Sequence, residues 1–115
     1  MTSIKRLGGA QRWADVVIHN GVARWVEVAA DMSADVSGQI QHVFRQIDET
    51  LSEIGSNRDQ LLEVVVYLAS LDSVSALNSA WDAWVSPGHA PIRACVQVGL
   101  QGNCLVEMIV VAAVE

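Results

Sequence analysis

The sequence predicts a single α+β domain in which two helices pack on one face of a β-sheet. Two segments of the 115-residue chain have apolar residues at helical spacing, and five others are short and rich in Val and Ile. An Asn-Gly pair joins the first two of these strands. The predicted order is ββ-α-β-α-ββ with no internal repeat or linker, so residues 1–115 form one domain.

The first two strands are predicted to form a β-hairpin. Val16–His19 and Val22–Val28 flank the dipeptide Asn20-Gly21. Asn and Gly tolerate the positive φ angles that a two-residue type I′ turn requires. This pattern is a strong local indication of paired antiparallel strands.

The first helix is expected to begin at Ser33-Ala34-Asp35, which offers an N-cap hydroxyl and an acid in the first turn. Gly55 would end it. Between these points, apolar residues recur at spacings of 4, 3, 4, 4 and 3, as on one face of a helix. They are Val36, Ile40, Val43, Ile47, Leu51 and Ile54.

The middle of the chain supplies a strand and the second helix. The segment 61–69 is almost entirely apolar, which is typical of a central strand buried on both faces. A helix follows, capped by Asp72 or Ser73 and ended by Pro87-Gly88. Its predicted inner face consists of Val74, Leu77, Trp81, Trp84 and Val85.

The last two predicted strands each carry a charge within an apolar run, Arg93 in 90–98 and Glu107 in 105–110. Burying an unpaired ion costs roughly several kcal/mol, so each charge must be paired, solvated or directed into a cavity. A ligand pocket is one explanation. The alternative for Arg93 is a salt bridge to an acid such as Glu63 of another subunit.

Composition indicates self-association and excludes some partners. The chain is 51% hydrophobic with a mean hydropathy of +0.30, which suggests that part of its apolar surface lies between subunits. Seven Lys and Arg against 13 Asp and Glu give a net charge of −6. Nucleic acid is therefore an unexpected partner, because its phosphates require a cationic surface.

Targeting and metal-binding patterns are not apparent in the sequence. No apolar segment resembles a signal peptide or a membrane helix, which favours the cytoplasm. Cys95 and Cys104 do not suggest a disulfide framework or a zinc site, and the three histidines lack metal-ligand spacing. These residues therefore predict no metal site.

Three segments in order resemble the RidA family, also called YjgF. Residues 93–98, Arg-Ala-Cys-Val-Gln-Val, are similar to the family signature Arg-Ser-Cys-Val-Glu-Val, and Val106-Glu107 is similar to its C-terminal motif. Residues 77–84 resemble its aromatic-rich second helix, which contains an asparagine. The resemblance spans nearly the whole chain. Segments 12–20, 80–84 and 88–91 resemble the YoaB-like branch in particular.

The resemblance implies a fold, an assembly and an activity. RidA proteins are homotrimers of chorismate-mutase-like fold with pockets between subunits. Their activity is hydrolysis of reactive enamines and imines, such as 2-aminoacrylate, to a 2-keto acid and ammonia without a cofactor. The expected partners are thus a small carboxylate metabolite and two further copies of the chain.

The resemblance also implies residue roles. Arg93 would clamp the substrate carboxylate, and Glu107 would act on water as the catalytic acid/base. The backbone at Cys95 would hold the other side of the carboxylate, and Asn78 would border the pocket. Trp13 stands where the family usually has tyrosine, and it would be a pocket wall or a lid on the core.

The chain departs from the family pattern at Val26-Glu27-Val28, where the family has Ser-Gly-Gln. The serine hydroxyl that would face substrate is absent. If Glu27 points inward, it places negative charge near an anionic substrate. These differences favour a second hypothesis, a non-catalytic trimeric module that binds a small carboxylate such as a keto acid.

The spacing of Arg93 and Glu107 raises a question of register. If the last two strands form a hairpin around Gly102-Asn103, the two residues lie on opposite faces of the sheet. An odd-length loop or a bulge would restore a common face. We therefore predict an irregularity within residues 99–104.

Overall fold

The computed structural model describes residues 3–115, which form a six-stranded sheet with two helices on one face. This confirms the predicted α+β class. Short 3-10 turns at Arg58–Gln60 and Leu71–Ser73 precede the fourth strand and the second helix. The elements are β1 (Lys5–Leu7), β2 (Val16–His19), β3 (Val22–Val28), α1 (Val36–Glu53), β4 (Leu61–Leu68), α2 (Val74–Trp84), β5 (Ile92–Gln97) and β6 (Val106–Ala113).

The strands lie in the order β1-β2-β3-β6-β4-β5. Only β4 and β5 pair in parallel, and the other neighbours are antiparallel. The predicted sequence of elements is confirmed except for β1, which pairs with β2 and was not foreseen. Its three residues, Lys-Arg-Leu, carry no alternation of apolar and polar side chains, so no local pattern identifies them as a strand.

The hairpin prediction is confirmed with the expected turn chemistry. Strands β2 and β3 pair from Val16 opposite Trp25 to His19 opposite Val22. Asn20 and Gly21 both have positive φ, 53° and 74°, as a type I′ turn requires.

Helix α1 buries its predicted stripe but begins with a different cap. The N-cap is Asp35, whose carboxylate accepts a hydrogen bond from the Gly38 N–H at 2.9 Å. The expected cap, Ser33, instead donates its hydroxyl to Asp31 at 2.6 Å. The helix begins at Val36, so the side chain of Asp35 reaches the Gly38 N–H, whereas Ser33 lies two residues farther from the helix. Gly55 follows the helix end with φ 78°.

Helix α2 packs on α1 through aromatic rings. Of the two predicted caps, Ser73 occupies the N-cap position, although its hydroxyl makes no capping bond to the described chain. Phe44 of α1 stacks on Trp84 with ring centroids 4.4 Å apart, and Trp81 lies tilted against both rings. These rings fix the position of α2 above the sheet.

The two faces of the sheet differ in burial. On β4, Val64, Val66 and Leu68 are fully buried beneath the helices, whereas Val65 and Tyr67 are half-buried on the other side. The prediction that β4 is buried on both faces is therefore wrong for a single chain. We call the side away from the helices the open face. Four strands that are neighbours in the sheet, β3, β6, β4 and β5, contribute most of this face. Their side chains on it are Val22, Arg24, Val26, Val28, Glu107, Ile109, Val111, Ala113, Glu63, Val65, Tyr67, Ile92, Ala94 and Val96.

Asp48 links α1 to the end of α2, so the Asp48→Ala variant should lose stability. Its carboxylate accepts hydrogen bonds from Arg58 Nε at 2.9 Å and from the indole Nε1 of buried Trp84 at 3.0 Å. The exposed ion pair contributes little, but the indole left without an acceptor costs about 1–2 kcal/mol. Urea unfolding would measure the difference.

Asp82→Ala provides the matched control, since Asp82 is an exposed aspartate on α2. It should change the free energy of unfolding by less than about 0.5 kcal/mol. Equal losses in the two variants would show that Asp48 has no special structural role.

Candidate functional site

Arg93 lies on the edge strand β5 and points toward α2. Its Nη2 donates to Asn78 Oδ1 at 2.8 Å, and its guanidinium carbon lies 5.1 Å from the ring centroid of Trp81. Trp81 is itself buried among the helix aromatics, so it offers a rigid surface for the cation. The predicted neighbours Arg93 and Asn78 are thus in contact, and Trp81 is a third partner that the sequence did not indicate.

The backbone at Cys95 faces the free edge of the sheet. Val98 N donates to Leu68 O at 3.0 Å, which continues the regular parallel ladder between β4 and β5. Amide directions alternate along a strand, so the N–H and C=O of Cys95 point away from β4. The edge therefore presents backbone donors and acceptors beside the Arg93 side chain. We call Arg93, Asn78, Trp81 and the Cys95 backbone the edge half-site.

Glu107 and Trp13 share a cavity of about 750 Å³ at one end of the open face. This is within the usual range for small-molecule pockets. The loop 98–105, the segment 13–15 and the end of β3 form its walls. The lining residues are Trp13, Ala14, Asp15, Val26, Glu27, Val28, Met32, Gly99, Leu100, Gln101, Cys104 and Glu107, and we call this the Glu107 cavity.

The charges of the Glu107 cavity are all negative. Asp15, Glu27 and Glu107 line it, whereas no lysine or arginine of residues 3–115 does. Glu27 is engaged elsewhere, because its carboxylate accepts from Gln46, Thr50 and the Trp25 indole at 3.0 to 3.2 Å. Its carboxylate is thus tied to α1 and to its own strand. A bound anion would need a cation from outside this cavity.

The environment of the Cys104 thiol disfavours a role as a nucleophile. Burial raises the pKa of the Cys104 thiol, a backbone hydrogen bond with Val106 opposes that shift, and the charge of Glu107 adds to it. A raised pKa keeps the sulfur protonated at neutral pH, and only the thiolate is strongly nucleophilic. Among the described residues there is also no cluster of His, Cys, Asp and Glu suited to a metal ion.

Arg93 and Glu107 lie on opposite faces of the sheet in one chain. Arg93 pairs with Val64, which points toward the helices, whereas Glu107 pairs with Tyr67 on the open face. Regular sheet spacings place their Cα atoms roughly 14 Å apart. One chain therefore does not bring the two residues together.

The hairpin considered for the last two strands does not form. Strands β5 and β6 pair with opposite edges of β4, and the loop 98–105 crosses over the end of β4 between them. Ala69 N donates to Leu105 O at 3.1 Å where the chain returns. The predicted irregularity is thus a crossover loop, and it does not restore a common face.

Gln39 is a buried residue of this region that sequence reasoning missed. Its side chain is fully buried on α1. It donates to the carbonyls of Met32, Ala34 and Asn103 and accepts from the Leu105 N–H at 2.9 Å. These bonds tie two walls of the Glu107 cavity together. A signal was present, since position 39 falls on the inner stripe of α1 yet carries an amide.

Comparisons with known proteins agree with this fold and length. The family model described as Endoribonuclease L-PSP matches residues 4–114. The protein belongs to that family. Within it the chain is 42% identical over 113 residues to the RutC family protein YoaB of Escherichia coli K12, covering 97% of this chain and 99% of that protein. A RutC family protein of Haemophilus ducreyi is 35% identical over 114 residues, with 97% of each chain covered.

Solved structures superpose closely on this fold. A Pseudomonas aeruginosa protein has a TM-score of 0.93 at 37% identity and covers 98% of this chain and all of that one. A YjgF family member from Neisseria meningitidis has a TM-score of 0.91 at 31% identity, with coverages of 98% and 96%. The predicted membership in the RidA/YjgF family, on the YoaB-like side, is confirmed.

Proposed function

We propose that this RidA/YjgF member is an enamine/imine deaminase that hydrolyses 2-aminoacrylate-type compounds to 2-keto acids and ammonia. The reaction would take place at pockets between the subunits of a homotrimer in the cytoplasm. Support comes from family membership and from two half-sites with complementary chemistry. Neither half-site holds a metal or organic cofactor in this scheme. No helix among residues 3–115 combines the length and apolar character needed to cross a bilayer.

The observation that carries the proposal is the division of charge between the two half-sites. The charged side chains that line the Glu107 cavity are, among residues 3–115, all carboxylates, whereas Arg93 presents a guanidinium at the free edge of β5. A substrate carboxylate needs such a cation, and a guanidinium can bind it in a bidentate manner. If the β5 edge of one copy lay against the cavity of the next, each interface would have both a guanidinium for the substrate carboxylate and a carboxylate for proton transfer.

The chemistry assigned to this site conserves atoms and protons. The enamine gains a proton at its terminal carbon and loses one from its nitrogen, both exchanged with water, to give the 2-imino acid. Glu107 removes a proton from water as the oxygen bonds to C2, and it returns that proton to the nitrogen. The hydroxyl proton of this carbinolamine then passes to the nitrogen by way of Glu107 as the C–N bond breaks, so that ammonia leaves and the carbonyl of the 2-keto acid forms. Arg93 binds the carboxylate throughout and does not take part in proton transfer.

One observation favours a second candidate, a trimeric module that binds a small carboxylate without turnover. Val26 occupies the position where the family usually has a serine, and it is 55% exposed in the cavity wall. Valine cannot donate a hydrogen bond to substrate or water there. Binding through Arg93 would persist, whereas activation would then depend on Glu107 alone.

The family model carries the name endoribonuclease, but the charge of this chain does not suit RNA. The net charge is −6, with seven basic and 13 acidic residues. Binding an RNA backbone depends chiefly on Lys and Arg, so this surface would repel it. We do not adopt that activity for this protein.

The Arg93→Ala variant tests the proposed function. With freshly generated 2-aminoacrylate, the wild type should accelerate release of ammonia and pyruvate. The variant should lose about tenfold to hundredfold in kcat/KM, mainly through a higher KM, because a charged hydrogen-bond partner of the carboxylate is removed. Arg93 is exposed, so the variant should still fold.

Arg45→Ala is the matched control, an exposed arginine on α1 outside both half-sites. It should retain wild-type kcat/KM. If correctly assembled wild type gave no acceleration, the binding module would become the better explanation. If both arginine variants were equally active, Arg93 would not be the carboxylate anchor.

A further inference from the structure

The walls of the Glu107 cavity carry apolar and polar surface in nearly equal amounts. Five of its lining residues have large hydrophobic side chains, and two of them are unusually exposed, Trp13 at 63% and Val26 at 55%. Exposed apolar surface gathered in a concave site favours apolar ligand groups. The five residues are Trp13, Val26, Val28, Met32 and Leu100.

The register of β3 and β6 places this apolar surface beside Glu107. Val28 lies directly opposite Glu107, and Val26 lies two residues along on the same face, opposite Ile109. Side chains directly opposite are about 5 Å apart at Cβ, and diagonal neighbours about 7–8 Å. A ligand carbon next to Glu107 would therefore have its substituent within reach of both valines.

The polar groups of the cavity disfavour an acidic substituent. Asp15 is exposed and negatively charged in the wall, and the carboxylate of Glu27 already accepts hydrogen bonds from three donors. A second carboxylate on the ligand would meet these charges without a compensating cation in the cavity. The hydroxyl that a polar substituent could use is replaced by Val26.

Resting on the deaminase activity proposed above, we propose that the Glu107 cavity selects 2-imino acids with a branched apolar side chain. Val26 and Trp13 are the residues that set this preference. The same selection applies to the 2-keto acid products, because they share the carbon skeleton. Imino acids with a methyl or carboxylate side chain are the poorer ligands.

The test uses stable 2-keto acids and does not require turnover. Calorimetry would compare the Kd of 4-methyl-2-oxopentanoate with those of pyruvate and 2-oxoglutarate. We expect the branched acid to bind at least about tenfold more tightly than pyruvate, since even one added methylene in an apolar pocket changes binding by tenfold or more. Binding of 2-oxoglutarate should be weaker than that of the branched acid.

Two variants assign the preference to the named residues. Val26→Ser and Trp13→Tyr should each reduce the ratio of the two Kd values several-fold, chiefly by weakening the binding of 4-methyl-2-oxopentanoate. Leu71→Ser, an exposed apolar residue outside the cavity, should leave the ratio unchanged. Sedimentation of each variant would check that the assembly is retained.

The outcomes separate this inference from the proposed function. Equal Kd values for the branched acid and pyruvate, or a preference unchanged in both Val26→Ser and Trp13→Tyr, would overturn the inference even if 2-aminoacrylate is hydrolysed. A preference that depends on Val26 or Trp13 supports the assigned selectivity of the cavity. Turnover is measured separately with 2-aminoacrylate, so its absence counts against the deaminase alone.

Discussion

The Glu107→Gln variant should hydrolyse 2-aminoacrylate about 10²- to 10⁴-fold more slowly than the wild type, the usual contribution of a general acid–base. The amide has the same shape as the carboxylate but cannot take a proton from water. Binding of a 2-keto acid should be retained, because Arg93 provides the anchor in our proposal. Single-turnover ammonia release and calorimetric binding of pyruvate would separate the two effects.

Glu63→Gln is the control that matches this substitution. Glu63 is also a glutamate of the open face, on β4, but it does not line the cavity. Its variant should keep kcat within about twofold of the wild type, as expected for a residue outside the site. A Glu107→Gln enzyme with full activity would exclude Glu107 as the acid/base.

Because Arg93 and Glu107 lie on opposite faces of one chain, trimers that contain both variant chains give a second test. If each site takes Arg93 from one subunit and Glu107 from the next, the impaired Arg93→Ala and Glu107→Gln chains can complement each other at substrate concentrations below the KM of the Arg93 variant. Random mixing into trimers should restore about one quarter of the sites, since each site has an even chance of receiving each intact residue. If Arg93 and Glu107 acted from the same chain, mixing the two variants would restore no activity.

The Gln39→Leu variant should lose about 2–4 kcal/mol of unfolding free energy. Leucine has a similar size but makes none of the four hydrogen bonds of the amide, which donates three to backbone carbonyls and accepts one from a backbone N–H. The carbonyls of Met32, Ala34 and Asn103 and the Leu105 N–H would lose their partner in a partly buried place. Each unsatisfied buried group costs about 1–3 kcal/mol, reduced here wherever water can enter.

Urea unfolding of Gln41→Leu serves as the comparison, because Gln41 is exposed on the same helix. That variant should stay within about 0.5 kcal/mol of the wild type. Faster hydrogen exchange in residues 31–34 and 98–105 of the Gln39 variant would show that the cavity walls have loosened. A stability loss no greater than that of the control would contradict the role assigned to Gln39.

Local chemistry decided which elements could be predicted. The β2–β3 hairpin was predictable because Asn20-Gly21 favours the positive φ angles of a type I′ turn. Both helices were predictable because apolar residues spaced by three and four positions lie on one face of an α-helix and not on one face of a strand. Strand β1 lacked any such signal, since backbone pairing with β2 alone makes it a strand. The Asp35 cap differed from expectation within the few residues by which helix starts are usually uncertain.

The geometry of the candidate site was predictable only where it depends on neighbouring elements that the resemblance already placed together. The resemblance placed Asn78 near Arg93, and the 2.8 Å hydrogen bond between them agrees with that placement. The relation of Arg93 to Glu107 could not be read locally, because a separate segment, β4, lies between their strands. Consecutive strands usually neighbour each other, and here that rule gave the wrong pairing.

The place of β6 in the sheet has a consequence for the order of folding. Strand β6 separates β3 from β4, so it alone joins the β1–β2–β3 ladder to the β4–β5 ladder through hydrogen bonds. During synthesis the earlier strands can form only two separate ladders until Val106–Ala113 has been made. The pairings of β3 with β6 span about 80 to 90 residues of sequence, from Val28 opposite Glu107 to Val22 opposite Ala113, and such a long loop closure slows folding. The six-stranded sheet can therefore become cooperatively stable only after β6, which is translated after the other five strands, has been made.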